Sequence, residues 1–378
     1  MKKLGIYVHI PFCMQKCYYC DFTSFTNKEN FIDKYIKTLK LEIKNQSLKH
    51  KVEKLKVSTI YIGGGTPSFI ESKYIKEIIN EIKQDFKINI QETEITIEIN
   101  PGTITKQKLQ DYKEAGINRI SIGLQAMQNR LLKQIGRIHT YEEFLETYNL
   151  VKKLGFENVN IDLMIGLPNQ TLEDINETIL NVIKLKPNHI SVYSLIIEEE
   201  TPIEKMIYNG KMTLPNEDIE RQMYWNIKKE LERSGYKHYE ISNFAKIGYE
   251  SKHNLDCWNQ EEYFGFGLAA HSYYNNIRYS NTDSLEKYIE NGQEGEKIVH
   301  EVQTKEDKEK EYMLLGLRKI DGVDITKFKD KFSENALYVF RKELEKLTKN
   351  ELIEIDGNSI RLTNLGINLA NLVWEEFV

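Results

Sequence analysis

Six short apolar stretches alternate with helical ones over the first two-thirds of this chain, and that alternation limits the fold more than any other feature. The stretches are residues 4–10, 57–62, 94–99, 119–124, 158–165 and 189–195. All are short and rich in Ile and Val, which predicts strands. Between them apolar residues return at helical spacing, as in Phe31, Tyr35, Leu39 and Ile43, and again in Phe144, Tyr148 and Val151. Gly116 and Gly155 stand where a helix closes ahead of the next strand. Thr171 and Asp174, three apart, form a capping signal. Such repeats give a parallel sheet with right-handed crossovers, either a partial barrel of six β/α units or a doubly wound sheet. In both, chemistry belongs at the carboxyl ends of the strands. The Cys loop, Gly63-Gly64-Gly65-Thr66-Pro67, Glu98 with Pro101, Gln125 and Asp162 all fall at those ends.

Three of the four cysteines, Cys13, Cys17 and Cys20, share one loop with the spacing C-x3-C-x2-C. Three thiolates leave one iron of a four-iron cubane without a protein ligand, which suggests reactive cluster chemistry rather than plain electron transfer. The competing readings are structural zinc, with His9 as a fourth ligand, and a disulfide, which strands one thiol. The spacing differs from the C-x2-C pairs of zinc sites. Clustered cysteines fit a reducing compartment.

The chain has 378 residues and a net charge of −5, with a sequence pI of about 6.0. It has no basic excess, so nucleic acid is not an expected partner. No apolar run nears the roughly 18 residues that span a bilayer. The amino terminus shows two lysines and no apolar core of a signal peptide, so a cytoplasmic location is expected, with transient membrane contact left open. Beyond residue 200 the pattern changes. Residues 216–234 read as a helix with Ile219, Met223, Ile227 and Leu231 on one face. A segment rich in aromatics and glycine follows, and a small helical module with a hairpin begins near residue 305. Its wing is expected at residues 354–363, with Asp356-Gly357 supplying the turn. The module is read as winged-helix-like, though it lacks the basic excess of a DNA binder.

The Cys loop with Tyr19 before its last cysteine resembles the cluster loop of the radical S-adenosylmethionine (SAM) superfamily. Tyr7-Val-His-Ile-Pro-Phe-Cys13, Gly63-Gly-Gly-Thr-Pro67, Glu98-Ile-Asn-Pro101, Ser121-Ile-Gly-Leu-Gln125 and Asn160-Ile-Asp162-Leu-Met-Ile-Gly-Leu-Pro168 narrow the likeness. They resemble the branch that holds oxygen-independent coproporphyrinogen III dehydrogenase (HemN) and its haem-chaperone relatives. The likeness runs over nearly the whole chain. It implies a radical-SAM TIM-like partial (β/α)6 barrel over residues 1–235, a connecting segment over 236–304, and a HemN-type C-terminal domain over 305–378. It implies a 4Fe-4S cluster on Cys13, Cys17 and Cys20, with SAM on the open iron. Gly64, Gly65 and Thr66 would then let the backbone approach the methionine part closely. Glu98 would hold the SAM ammonium. Gln125, Arg137 and Asp162 match positions that hold SAM in the dehydrogenase. Tyr7 and Tyr19 would line the adenine and cluster side, and His271 stands where the family places a further SAM-side contact.

Three features bear on which branch this is. The dehydrogenase carries a fourth cysteine two residues after the third, and here that position is Phe22. The dehydrogenase also has a longer segment ahead of its cluster loop, where this sequence has twelve residues before Cys13. The chaperones carry an H-N-x-x-Y-W pattern linked to haem, and this chain reads His253-Asn254-Leu-Asp-Cys257-Trp258, with Cys257 in place of the tyrosine. The expectation is a haem chaperone without an assigned catalytic residue. It would bind a SAM-ligated cluster and bind haem near His253, since His is a standard axial haem ligand. Expected partners are haem and an acceptor protein, with a membrane-bound respiratory acceptor and a homodimer left open. The alternative is the dehydrogenase itself, which converts coproporphyrinogen III to protoporphyrinogen IX. A SAM enzyme acting on another tetrapyrrole is the third class.

Overall fold

A computed structural model of the chain describes residues 2–50, 55–86, 88–291 and 297–378. The first part runs β1 (Lys2–Ile10), α1 (Ile32–Lys49), β2 (Leu55–Gly64), α2 (Ser72–Phe86), β3 (Glu94–Ile99), α3 (Lys106–Ala115), β4 (Arg119–Gln125), α4 (Asn129–Gln134), α5 (Tyr141–Lys153), β5 (Asn158–Ile165), α6 (Leu172–Leu185) and β6 (His189–Ser194). The six strands lie side by side in chain order, each parallel to the next. A doubly wound sheet would reverse that order partway. The chain therefore builds the partial barrel.

Local chemistry sets these elements. On α1 the residues Tyr35, Leu39 and Ile43 are buried in a single stripe. α3 ends at Gly116, which takes the left-handed φ of +95° that closes a helix. α6 opens with a full capping box between Thr171 and Asp174. Because side chains alternate across a strand, each strand sends Ile, Val and Leu outward to the helices and a polar set inward. On β3, for example, Ile95, Ile97 and Ile99 join the hydrophobic core, while Glu94, Thr96 and Glu98 face inside. The inward residues sit level with one another, as with Glu98 beside Ser121 and Asn160 beside His189.

The segment expected to connect two domains does more than connect. After α7 (Pro202–Tyr208) and α8 (Glu217–Arg233) it supplies β7 (Lys237–Glu240), β8 (Asn243–Ala245), α9 (Lys252–Trp258), β9 (Tyr263–Phe266), β10 (His271–Tyr274), β11 (Ile277–Ser280), α10 (Leu285–Asn291) and β12 (Ile298–Val302). Its six strands join the barrel's own sheet, which has 12 strands in the order β12-β11-β10-β9-β1-β2-β3-β4-β5-β6-β8-β7. β8 extends the β6 edge in antiparallel sense, and β9 extends the β1 edge in parallel sense. Between them α9 crosses the floor of the barrel. Glu94, the first residue of β3, accepts from the backbone N–H groups of Lys252 (3.3 Å) and His253 (3.2 Å). Asp256 accepts from Ser58 (2.8 Å) and Lys3 (2.6 Å).

The C-terminal module has its own hydrophobic core, built on Phe328, Phe332, Phe340, Leu347 and Ile360. It opens with α11 (Lys305–Gly316) and carries a three-stranded sheet of β13 (Val323–Asp324), β14 (Ile353–Asp356) and β15 (Ser359–Leu362). The hairpin loop differs from expectation. Asp356 already pairs with Ser359, so the two loop residues are Gly357 and Asn358. Gly357, at φ +58°, takes the conformation that such a tight loop asks of its first residue.

One buried ion pair ties the added strands to the barrel. Glu42 of α1 is fully buried and pairs with Lys297. It also accepts from Gly267 N (2.9 Å), the Tyr288 hydroxyl (2.7 Å) and Asn281 Nδ2 (2.9 Å). Breaking one side of such a group strands the other. Glu42→Ala should therefore lower the unfolding free energy by about 3 kcal/mol, read as a fall in the urea midpoint. An unchanged midpoint would show that this pair does not hold the added strands.

Candidate functional site

The carboxyl ends of the strands open into a cavity of about 460 Å³. The loop after β1 brings Cys13, Cys17 and Cys20 to it. The loop after β2 brings Gly64, Gly65 and Thr66. Glu98, Gln125 and Asp162 come from β3, β4 and β5, and Arg137 and Tyr19 also line the wall. Tyr61, Asn100, Ser121 and Tyr193 line it as well, and sequence reasoning did not single them out. Their signal was the alternation within each strand, since each stands two positions from an expected site residue or on a neighbouring strand.

The Cys loop is pinned at both ends. Cys13 N donates to Phe25 O (2.9 Å) and Phe25 N to Pro11 O (2.7 Å), which closes the loop on itself. Cys13 is buried, and burial pushes its thiol up. Burial pushes the Cys20 thiol up to about 11. Burial disfavours the thiolate form of both. A polar chain runs around the loop. The Thr66 hydroxyl donates to Cys13 Sγ (3.4 Å), Asn100 Nδ2 to Thr66 Oγ1 (3.0 Å), Arg137 Nη2 to Asn100 Oδ1 (2.8 Å) and Arg137 Nη1 to Cys17 Sγ (3.6 Å). Arg137 Nη2 also donates to Gly123 O (2.7 Å), while its buried Nε has no hydrogen-bond partner among the described residues.

Glycine makes the wall thin where the cysteines approach. A Cβ on Gly65 would lie 2.8 Å from Cys13 Sγ, and one on Gly64 would lie 2.6 Å from the His9 ring. Gly64 also has φ +110°, a region that side chains avoid. Gln125 is strained in a similar way. It holds φ +70° at a register shift near the end of β4, which turns it into the cavity.

The two carboxylates are set differently. Glu98 accepts from the Tyr61 hydroxyl (2.8 Å), and burial raises its carboxyl to about 7. Asp162 accepts from Ser121 Oγ (2.9 Å) and Asn160 Nδ2 (2.7 Å), although burial still pushes it above the usual carboxylate range.

Some expected residues lie elsewhere. Tyr7 does not line the cavity. Its ring stacks on Tyr61 at 6.4 Å and its hydroxyl donates to His9 Nδ1 (3.0 Å). His9 Nε2 donates to Thr23 O (2.8 Å), so both ring nitrogens are engaged and neither is left for zinc. His271 also misses the cavity. It lies exposed on β10 and stacks on His300 at 5.1 Å. His253, expected near haem, is buried on α9 under the barrel. Its ring stacks on Tyr61 at 5.2 Å, and its Nδ1 is 2.9 Å from Thr59 Oγ1. Burial lowers it to about 4. Cys257 is half-buried, with its thiol pushed up to about 12 by burial, and Trp258 stacks under the Arg318 guanidinium at 4.5 Å.

The cavity fits the cofactors that the sequence implies. Among the described residues no three His, Cys, Asp or Glu side chains converge on a point where a single ion could sit. Three thiols spread around one end of a cavity suit a multi-iron cluster, in which each thiolate takes its own iron. The glycine-thinned wall and the two carboxylates suit a zwitterionic ligand beside it.

Comparison with known proteins agrees with this chemistry. The radical SAM superfamily model matches residues 7–182, and the HemN C-terminal domain model matches residues 303–369. The heme chaperone HemW of Lactococcus lactis is 38% identical over 377 residues, covering 100% of this chain and 98% of that protein. The heme chaperone HemW of Bacillus subtilis is 38% identical over 375 residues, covering 98% of each. Among solved structures, the radical SAM enzyme coproporphyrinogen III oxidase (HemN) of Escherichia coli superposes with a TM-score of 0.84. It covers 100% of this chain and 90% of that one at 24% identity, a likeness of fold alone.

Replacing any one of Cys13, Cys17 and Cys20 by Ala should abolish the visible absorbance of a reconstituted cluster. A full cluster spectrum in any of the three variants would remove that cysteine from the ligand set. Gly64→Ala should weaken SAM binding by at least about tenfold, because the added methyl meets His9 and the backbone conformation is forbidden to it. Equilibrium dialysis against SAM checks this.

Proposed function

This chain belongs to the HemW family within the radical SAM superfamily, and we propose that it is a haem chaperone, which binds haem and passes it to an acceptor protein. What favours this over dehydrogenation is Phe22. It lies at the cavity mouth, 62% exposed, where the dehydrogenase pattern has a fourth cysteine. The chain's likeness to HemW proteins along its whole length supports the same reading.

In this reading Cys13, Cys17 and Cys20 hold a 4Fe-4S cluster. Such a cluster supplies an open iron able to chelate SAM. Thr66 braces Cys13 and Arg137 braces Cys17, with Asn100 linking the two. Gly64 and Gly65 leave room for the methionine part. Glu98 takes the ammonium, Asp162 and Gln125 take further donors, and Tyr19 packs the cluster side. Tyr7 acts from behind, by fixing Tyr61 and His9. His271 stands outside this set.

Haem is assigned to the α9 helix through His253. In the structure that ring is tucked beneath Tyr61, so a porphyrin reaches it only when α9 turns out of the floor. Among the described residues no helix is long and apolar enough to cross a membrane. A membrane-bound acceptor would therefore be met by surface contact.

Two measurements test these assignments. Glu98 must be ionised to hold an ammonium, and burial places its carboxyl at about 7. Below that pH, binding has to expel a proton, so SAM affinity should rise from about pH 6 to about pH 8 and then level. Glu98→Gln should bind weakly with no such rise, and a rise that survives the substitution would remove Glu98 from the site. For haem, titration followed by the Soret band should saturate near one haem per chain, and His253→Ala should change the band and weaken binding about tenfold or more. Identical titrations would move haem away from His253.

A further inference from the structure

Below Asp162 the barrel interior holds a row of buried polar groups that the cofactor reading does not use. His189, the first residue of β6, is fully buried. Its Nδ1 lies 2.6 Å from Asn160 Oδ1, and its Nε2 lies 2.7 Å from the Tyr239 hydroxyl. The direction of each bond follows from its neighbours. A carboxylate only accepts, so Asn160 must turn its nitrogen to Asp162 Oδ1 (2.7 Å), and that nitrogen also reaches Ser121 Oγ (2.7 Å). The Asn160 oxygen is left to accept, from His189 and from Ser191 Oγ (3.2 Å). His189 Nδ1 therefore carries a hydrogen. A neutral imidazole has one N–H, so Nε2 accepts from Tyr239. The Tyr239 oxygen in turn accepts from the Ser251 backbone N–H (3.2 Å). Ser251 is the N-cap of α9. Burial holds His189 well below its ordinary range, which keeps the ring neutral.

Every bond thus points one way, from Ser251 through Tyr239, His189 and Asn160 to Asp162. Ser121 supplies the second oxygen of Asp162 with a donor (2.9 Å). Both oxygens are gripped from below, and their remaining lone pairs are left for the cavity. If these positions only filled the barrel, apolar side chains of similar size would serve as well.

We propose that His189 is a positioning residue: through the Asn160 amide it fixes Asp162 as an oriented acceptor for a hydroxyl or ammonium donor of the ligand in the cavity. This rests on the reading of Asp162 as a SAM contact.

The test measures SAM affinity in cluster-loaded protein by equilibrium dialysis. Asp162→Asn should weaken binding about tenfold, the usual worth of a hydrogen bond to a charged group. His189→Leu should weaken it about fivefold or more, since the buried Asn160 oxygen then loses its short hydrogen bond and the amide is no longer held in place under Asp162. His189→Asn places an amide N–H where Nδ1 was and should recover affinity to within about twofold of wild type. Nitrogen-15 NMR of the native chain should show His189 as the Nδ1–H tautomer. The arms separate the two claims. If Asp162→Asn binds SAM normally, the SAM reading of Asp162 fails and takes the proposal with it. If Asp162→Asn is weak while His189→Leu is normal, the proposal alone fails. If His189→Asn is as weak as His189→Leu, only packing was lost, and the proposal fails. An Nε2–H tautomer overturns it without any variant, and so covers the case in which His189→Leu does not fold.

Discussion

Glu98 and Asp162 are carboxylates inside a barrel, and a buried carboxylate persists only where donors surround it. Much of the interior follows from that requirement. Tyr61 is held with its hydroxyl on Glu98, and Ser121 and Asn160 close on Asp162. Arg119, almost fully buried, draws both carboxyls back down without pairing directly with either. Parallel strands with apolar residues on both faces would make a more stable sheet and a useless one. Here the outer face carries the hydrophobic core and the inner face carries the chemistry.

The second requirement is closeness. Gly63, Gly65 and Gly123 each lie where a methyl group would strike a site residue, and at Gly64 it would strike His9 behind the wall. At Gly123 it would meet Arg137, Gln125 and Asn100 within 3.0 Å. The walls are therefore thin at the places where the cysteine loop and the arginine lean in. A sheet of ordinary thickness would hold the same side chains farther apart.

Much of this was legible in the sequence, and the misses have physical reasons. The barrel strands were readable to within a few residues because Ile and Val runs are bounded by glycine caps, as at Gly116. The strands of residues 236–304 were not, because runs of three to five residues owe their form to pairing with an existing edge rather than to their own pattern. That His253 sits on a helix was not legible, because a seven-residue helix carries too little periodicity to declare itself. His271 lies on an added strand whose place in the sheet no local signal reveals. The inward polar rows were legible in principle. The run Glu94-Ile-Thr-Ile-Glu-Ile99 states its alternation plainly, and the Ile content drew attention away from the residues between.

The barrel is open between β1 and β6, and residues 246–262, with α9 among them, run from one lip to the other. A hoop with a gap takes its diameter from whatever strap joins the ends. The length and seating of α9 thereby set the girth of the sheet and the spacing of the six strand tips above it. Any slackening of the strap would widen the rim and part the cysteines from the carboxylates opposite.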